Sequence, residues 1–245
     1  MKLSDVLTFC ELIDVFMDSV FKNMFNLFFP ELCMICGHTL FIEDQVLCIS
    51  CRSKLPLTYY SQWKDNEVER SFYGRVTIEA ATSLLYYNRK GEGQRLIHQL
   101  KYKKQQQIGF FLGDWLGQEM IQSHRFNTVD LIIPVPLHKN KLQKRGYNQV
   151  TTFGQSLSEK LQIPLLEDVL IRVSKSKTQT FKSRLERSID MDEKFELKQG
   201  EILNDKHILL IDDVITTGAT LEACCIQLRQ MKNIKISIAT MAYTL

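Results

Sequence analysis

Residues 207–220, His-Ile-Leu-Leu-Ile-Asp-Asp-Val-Ile-Thr-Thr-Gly-Ala-Thr, constrain the fold more than any other stretch of this chain. The apolar run Ile208 to Ile211 suits a strand buried on both faces, as in a parallel sheet. It ends in two adjacent carboxylates, Asp212 and Asp213. The residues that follow bring the hydroxyls of Thr216, Thr217 and Thr220 together with Gly218 and Ala219, and an apolar-periodic helix is expected over 220–231. Gly218 lets the backbone approach a ligand closely, and the first amides of the helix point outward, so the loop is built to cradle a phosphate. Carboxylates beside such a cradle make sense if the ligand also carries vicinal hydroxyls or a Mg²⁺ ion, as a phosphorylated ribose does.

The remaining periodicities agree with this fold class. Strands are expected over 76–87, 131–135, 165–173 and 234–242, with helices over 91–104, 108–123 and 148–161. Strands alternating with helices imply an α/β domain with a mainly parallel sheet over 76–245. Residues 61–75 are charged and weakly patterned, like a linker, and residues 30–60 form a short cysteine-bearing module. Before it, residues 6–29 read as an amphipathic helix. Glu11, Asp14, Asp18 and Lys22 line one face and Phe9, Leu12, Val15, Phe16 and Val20 the others. Those charges rule out a transmembrane span there, and the mostly acidic face favours docking on the chain itself or a partner over an anionic membrane.

Cys33-x-x-Cys36-Gly37 and Cys48-x-x-Cys51 are two turns able to deliver four thiolates to one tetrahedral ion. Zinc is the expected occupant, and four protein ligands make the site structural. Redox C-x-x-C chemistry is the alternative, but its strand-then-helix setting is missing. Cys10, Cys224 and Cys225 lie on apolar helical stretches and read as core residues. Seven cysteines without a loop-closing pattern indicate a reducing, cytoplasmic setting. The net charge of +3 gives no basic footprint for nucleic acid, and the cysteine module carries only Arg52 and Lys54 as cations.

Other folds fit these residues less well. A receiver domain also ends a strand in Asp-Asp, but only 33 residues follow Asp212, too few for its remaining strands. No G-x-x-x-x-G-K-[ST] nucleotide loop occurs. A solvated acidic pair ahead of a helix capped by Thr216 or Thr217 is the plain alternative.

The stretch from Ile208 to Thr220 resembles the phosphoribosyl-pyrophosphate signature of type I phosphoribosyltransferases: four apolar, two acidic and two apolar residues, then T-T-G-x-T. Three further segments narrow the resemblance to the ComF family of bacteria. They are the four-cysteine module, Pro134-Val135-Pro136-Leu137-His138 running into Lys144-Arg145-Gly146-Tyr147-Asn148-Gln149, and Thr178-Gln179 with Arg187 downstream. Asp190 departs from the asparagine usual in that family. The resemblance implies a type I phosphoribosyltransferase fold with a zinc-ribbon-like N-terminal module. Phosphoribosyl pyrophosphate would lie on Thr216 to Thr220, with Asp212 and Asp213 at the ribose hydroxyls or Mg²⁺. Lys144, Arg145, Gln179 and Arg187 are the pyrophosphate or flap candidates. Lys139 and Lys141 can serve in the same basic loop or be merely solvated, Lys101 and Lys103 at a helix end read as solvated, and the histidines at 98, 124 and 207 show no catalytic pattern. Residues 174–194, dense in charge, are expected to order only over a ligand. The resemblance further implies a role in DNA uptake during natural transformation, beside partners such as a helicase, either as an enzyme of undefined acceptor or as a non-catalytic accessory module.

Overall fold

The computed structural model describes residues 29–40, 45–173 and 194–244. The expected N-terminal helix and the charged segment with Gln179, Arg187 and Asp190 therefore lie outside the described residues. The chain divides into two compact units, residues 1–54 and residues 55–245. In the first, a short antiparallel bridge joins Leu32 to Thr39, and α1 spans Ile49–Ser53.

The second unit runs α2 (Glu67–Arg70), β1 (Ala80–Tyr86), α3 (Glu92–Tyr102), α4 (Gln107–Ser123), β2 (Leu131–Pro134), α5 (Lys139–Arg145), α6 (Gln149–Leu161), β3 (Leu170–Val173), β4 (Lys194–Leu197), a 3₁₀ turn (Gly200–Leu203), β5 (His207–Ile215), α7 (Ala219–Leu228) and β6 (Lys235–Tyr243). Four strands form a parallel sheet in the order β1-β6-β5-β2. This is the expected α/β architecture, with the apolar run of β5 at its centre. The two faces of β5 are covered differently. Ile208 and Leu210 join a core with Leu221, Cys224 and Leu228 of α7, whereas Ile211 lies against Gly154 of α6.

Several elements differ from the sequence expectation. β5 continues through the acidic pair to Ile215, because Asp212 pairs with Thr240 and Val214 with Ala242 of β6. The strand expected over 165–173 is split. Leu165 makes a parallel bridge to Ile132, and Leu170–Val173 instead forms an antiparallel ribbon with Lys194–Leu197. The basic run 139–145 is a helix rather than a loop, started by His138, whose Nδ1 accepts from Asn140 N at 3.2 Å, and stopped by left-handed Gly146.

The segment 61–75 is no linker. Val68 and Phe72, four residues apart, are both 0% exposed in the core. Its polar groups are taken up: Glu69 pairs with Arg125 from just past the end of α4, Asp65 with Arg70 at 2.7 Å, and the Asn66 amide donates to three carbonyls, those of Tyr60, Trp63 and Ala81.

Close approach of α4 to α6 depends on glycines at one helical spacing. A Cβ on Gly113 would lie 2.7 Å from the Phe153 carbonyl oxygen and 2.7 Å from Ser156 Cβ, and the backbone atom cannot give way. Gly113→Ala is expected to lower stability by about 1–3 kcal/mol, the usual cost of overpacking. Urea unfolding measures it; an unchanged midpoint would mean that the helices separate at no cost.

Stability also depends on pH through His207, buried at the start of β5. Its ring bonds Thr128 Oγ1 at 2.8 Å and Ser237 Oγ at 2.9 Å, and burial holds its pKa below the ordinary value. The unfolded chain therefore binds a proton first, so stability falls as pH drops below about 6.5 towards the folded value. Glu119, pushed up by burial and partly offset by Ser61 Oγ, acts with the opposite sign in the carboxylate range. Wild type is expected to lose more stability than His207→Gln on acidification through that first window. Parallel unfolding curves for the two would remove His207 as the cause.

Candidate functional site

The carboxyl ends of the parallel strands bring the acidic pair, the threonine loop and the segment entering α5 to one edge. Val135 N donates to Ile211 O at 2.9 Å, so the segment entering α5 leaves the sheet beside the acidic pair. Thr244 N donates to Ile215 O at 2.9 Å, which holds the last residue of β5 in the sheet while the chain turns out through Thr216 and Thr217, both exposed. Gly218 then adopts φ +73° and ψ 0° as the residue before α7. Its carbonyl accepts from Glu222 N at 2.9 Å, the first helical bond, and its side-chain position offers no cap. Thr217 Oγ1 accepts from Ala219 N at 3.4 Å, so the loop itself makes one long contact to the start of α7, a helix end of the kind that can also hold an anion.

Arg75 braces this loop from the segment expected to be a linker. Its Nη1 donates to Thr217 O at 2.8 Å and to Ser71 O at 3.0 Å, and its Nε donates to Glu222 Oε2 at 2.9 Å. Phe72 lies against Gly218, where an added Cβ would stand 3.3 Å from the ring. Sequence reading gave Arg75 no role. The spacing of Val68 and Phe72, one helical turn apart, is the signal that this stretch is packed.

The two aspartates are not equivalent. Side chains alternate along a strand, so Asp212 and Asp213 leave opposite faces of β5. Asp212 is half-buried, and its Oδ1 accepts from Asp213 N at 2.8 Å. Asp213 is 8% exposed. Its Oδ2 accepts from Lys101 Nζ at 2.8 Å and also from Gln149 Nε2. Lys101, expected to be solvated, is instead committed to the site. It falls four residues after buried Ile97, on the inward face of α3.

Arg145 is half-buried. Its Nη1 donates to Gln149 Oε1 at 2.6 Å, and its guanidinium lies 5.3 Å from the centre of the Tyr102 ring. Lys139, Lys141 and Lys144 are exposed on α5. Asn148 starts α6 by accepting from Val150 N, and its amide donates to Val135 O at 3.2 Å, tying the two ends of this connection together.

In the first unit, the Sγ atoms of Cys33, Cys36, Cys48 and Cys51 all lie within 4.8 Å of one another, with Cys36 to Cys48 at 3.7 Å. Gly37, at φ +73°, closes the first turn by donating to Cys33 O at 2.9 Å. Burial raises the Cys33 thiol, but the backbone amides of Cys36, Cys48 and Ile35 outweigh it and hold the pKa down to about 6. A tetrahedral ion with Zn–S bonds of about 2.3 Å needs sulfurs about 3.8 Å apart, so this all-sulfur donor set fits a metal ion such as zinc.

A strand carrying an acidic pair near its end and a threonine-glycine loop after it, on a parallel sheet, define a phosphoribosyltransferase-type domain. Residues 151–244 match the phosphoribosyl transferase domain family. Over 223 residues the chain is 30% identical to competence protein F of Haemophilus influenzae, covering 83% of this chain and 93% of that protein. It is 27% identical over 198 residues to competence protein ComFC of Bacillus subtilis, covering 73% of this chain and 75% of that protein. It is also 31% identical over 128 residues to DNA utilization protein YhgH of Escherichia coli, covering 51% of this chain but only 56% of that protein. Among solved structures, purine phosphoribosyltransferase of Pyrococcus horikoshii shares 23% identity over 54% of this chain and 74% of its own, with a TM-score of 0.35. The chain belongs to the ComF family of competence protein F.

Proposed function

We propose that this protein binds phosphoribosyl pyrophosphate with Mg²⁺ at the edge formed by β5 and α7 and transfers its phosphoribosyl group to an acceptor, in the service of DNA uptake. The observation that carries the reading is left-handed Gly218 at the start of α7, three residues beyond the strand that carries the acidic pair. On this reading the 5-phosphate lies on the amides and hydroxyls of Thr216, Thr217, Gly218, Ala219 and Thr220. The ribose hydroxyls face Asp212 and Asp213, and the basic side of α5, with Lys144 and Arg145, faces the pyrophosphate. Gln179 and Arg187 remain candidates of the segment that would cover it.

In the transfer, the bond from ribose C1 to pyrophosphate breaks and a bond to the acceptor nucleophile forms. The leaving oxygen takes the electron pair, and positive charge develops on the ring. The protein's share is to position the ribose and offset charge. Mg²⁺, arriving on the pyrophosphate, would supply the remaining neutralisation, with Asp212 as its carboxylate at this edge. The four-cysteine cluster would hold a structural zinc, since four thiolates leave no open position for substrate.

The link to DNA uptake rests on relatives whose names state competence and DNA utilization. Helicase or other competence partners would be recruited in that setting. Incubating the protein with phosphoribosyl pyrophosphate, Mg²⁺ and a panel of bases tests the activity by release of pyrophosphate. Acceptor-dependent release is expected. Saturable binding without release for any acceptor would replace the enzyme by a ligand-binding accessory module.

A further inference from the structure

We infer that Lys101 and Gln149 form a clamp that sets Asp213 for the ribose, making Lys101 a positioning residue of the site; this rests on the function proposed above. Asp213 is nearly buried at the end of β5, where a lone carboxylate would be costly to keep ionised. Lys101 Nζ at 2.8 Å supplies the charge, from the last turn of α3. Gln149 supplies a second donor from the first turn of α6 and is itself fixed by Arg145 at 2.6 Å. Tyr147 OH donates to Leu100 O, joining the loop before α6 to the residue before Lys101.

Both donors reach the same oxygen, Oδ2. Oδ1 is then the atom left to a ribose hydroxyl, at a fixed angle. The ammonium group beside Asp213 also opposes a divalent cation on that carboxylate. The division of labour that follows is that metal belongs to the Asp212 side and Asp213 reads a hydroxyl. Through Gln149, the arginine proposed for the pyrophosphate and the aspartate proposed for the ribose share one hydrogen-bonded chain.

The test uses the full chain with Lys101→Met, Lys101→Arg, Asp213→Asn and the Lys101→Met/Asp213→Asn double variant. Melting temperatures come first. Removing one member of a buried pair leaves the other uncompensated, so each single neutral substitution should cost more than it costs in the absence of its partner. Additive melting shifts would overturn the clamp.

Affinities are then measured by calorimetry for phosphoribosyl pyrophosphate with Mg²⁺ and for inorganic phosphate alone. Lys101→Met is expected to weaken phosphoribosyl pyrophosphate roughly 10-fold, the scale of one charge-assisted hydrogen bond. Phosphate affinity should stay unchanged, because the threonine loop is untouched, and Lys101→Arg should recover most of the loss. Unchanged phosphoribosyl pyrophosphate affinity in Lys101→Met, or equal losses for both ligands, would overturn the positioning role. Wild-type protein that binds phosphate but no phosphoribosyl pyrophosphate would overturn the proposed function instead, and the melting cycle would then decide the clamp by itself.

Discussion

Gly218→Val is expected to abolish phosphoribosyl pyrophosphate binding, with an affinity loss of at least about 100-fold. Two physical terms add. Gly218 sits at φ +73°, a conformation that costs an L-residue about 1–2 kcal/mol and a β-branched one more. Its added Cβ would also stand 3.3 Å from Phe72 Cε1, a tight contact with a ring held in the core, so the two methyls of valine beyond it have little room on that side. The loop must shift, and the amides of α7 lose their aim at the phosphate. Charge-assisted hydrogen bonds contribute about 1.5–3 kcal/mol each, so losing two costs two or more decades of affinity. Binding assays on the folded variant, with melting curves as control, check this. Wild-type affinity in Gly218→Val would place the phosphate elsewhere.

The second large effect concerns the four-cysteine module. Zinc removal is expected to unfold residues 29–54, because the described part of that unit is one short bridge, one five-residue helix and turns. Structural zinc sites in small peptides contribute on the order of 10–16 kcal/mol at neutral pH, far more than this unit's apolar residues, such as Leu40, Val46 and Leu47, can supply. Elemental analysis should find about one equivalent of zinc. Chelation, or Cys51→Ser, should then strip hydrogen-exchange protection from the module. Less than about half an equivalent in protein purified without chelator, or a Cys33–Cys36 disulfide, would contradict the assignment.

The parallel core was legible in the sequence because Ile208 to Ile211 and Leu131 to Val135 are apolar without interruption, a pattern that buried strands require. The turn from β5 into α7 was legible for a similar reason: Gly218 stands between hydroxyl residues ahead of an apolar-periodic stretch, and Thr217 Oγ1 accepts from Ala219 N at 3.4 Å there. Residues 61–75 were not. Their charges mask Val68 and Phe72, and only tertiary partners such as Arg125 for Glu69 show how those charges are neutralised. Lys101 escaped for a related reason. A lysine at a helix end is ordinarily solvated, and its partner Asp213 is distant in sequence. The helix at 139–145 was signalled by His138 and Gly146 at its two ends, but six of its seven residues are polar or charged and all are at least partly exposed, so no apolar stripe announces it.

The central claim, that the threonine loop and acidic pair hold a ribose phosphate, is tested most directly by calorimetric titration of phosphoribosyl pyrophosphate into the full chain in the presence of Mg²⁺. The account predicts a saturable heat at one ligand per chain, competed away by ribose 5-phosphate. No saturable heat, or a heat that an excess of ribose 5-phosphate leaves unchanged, would contradict it.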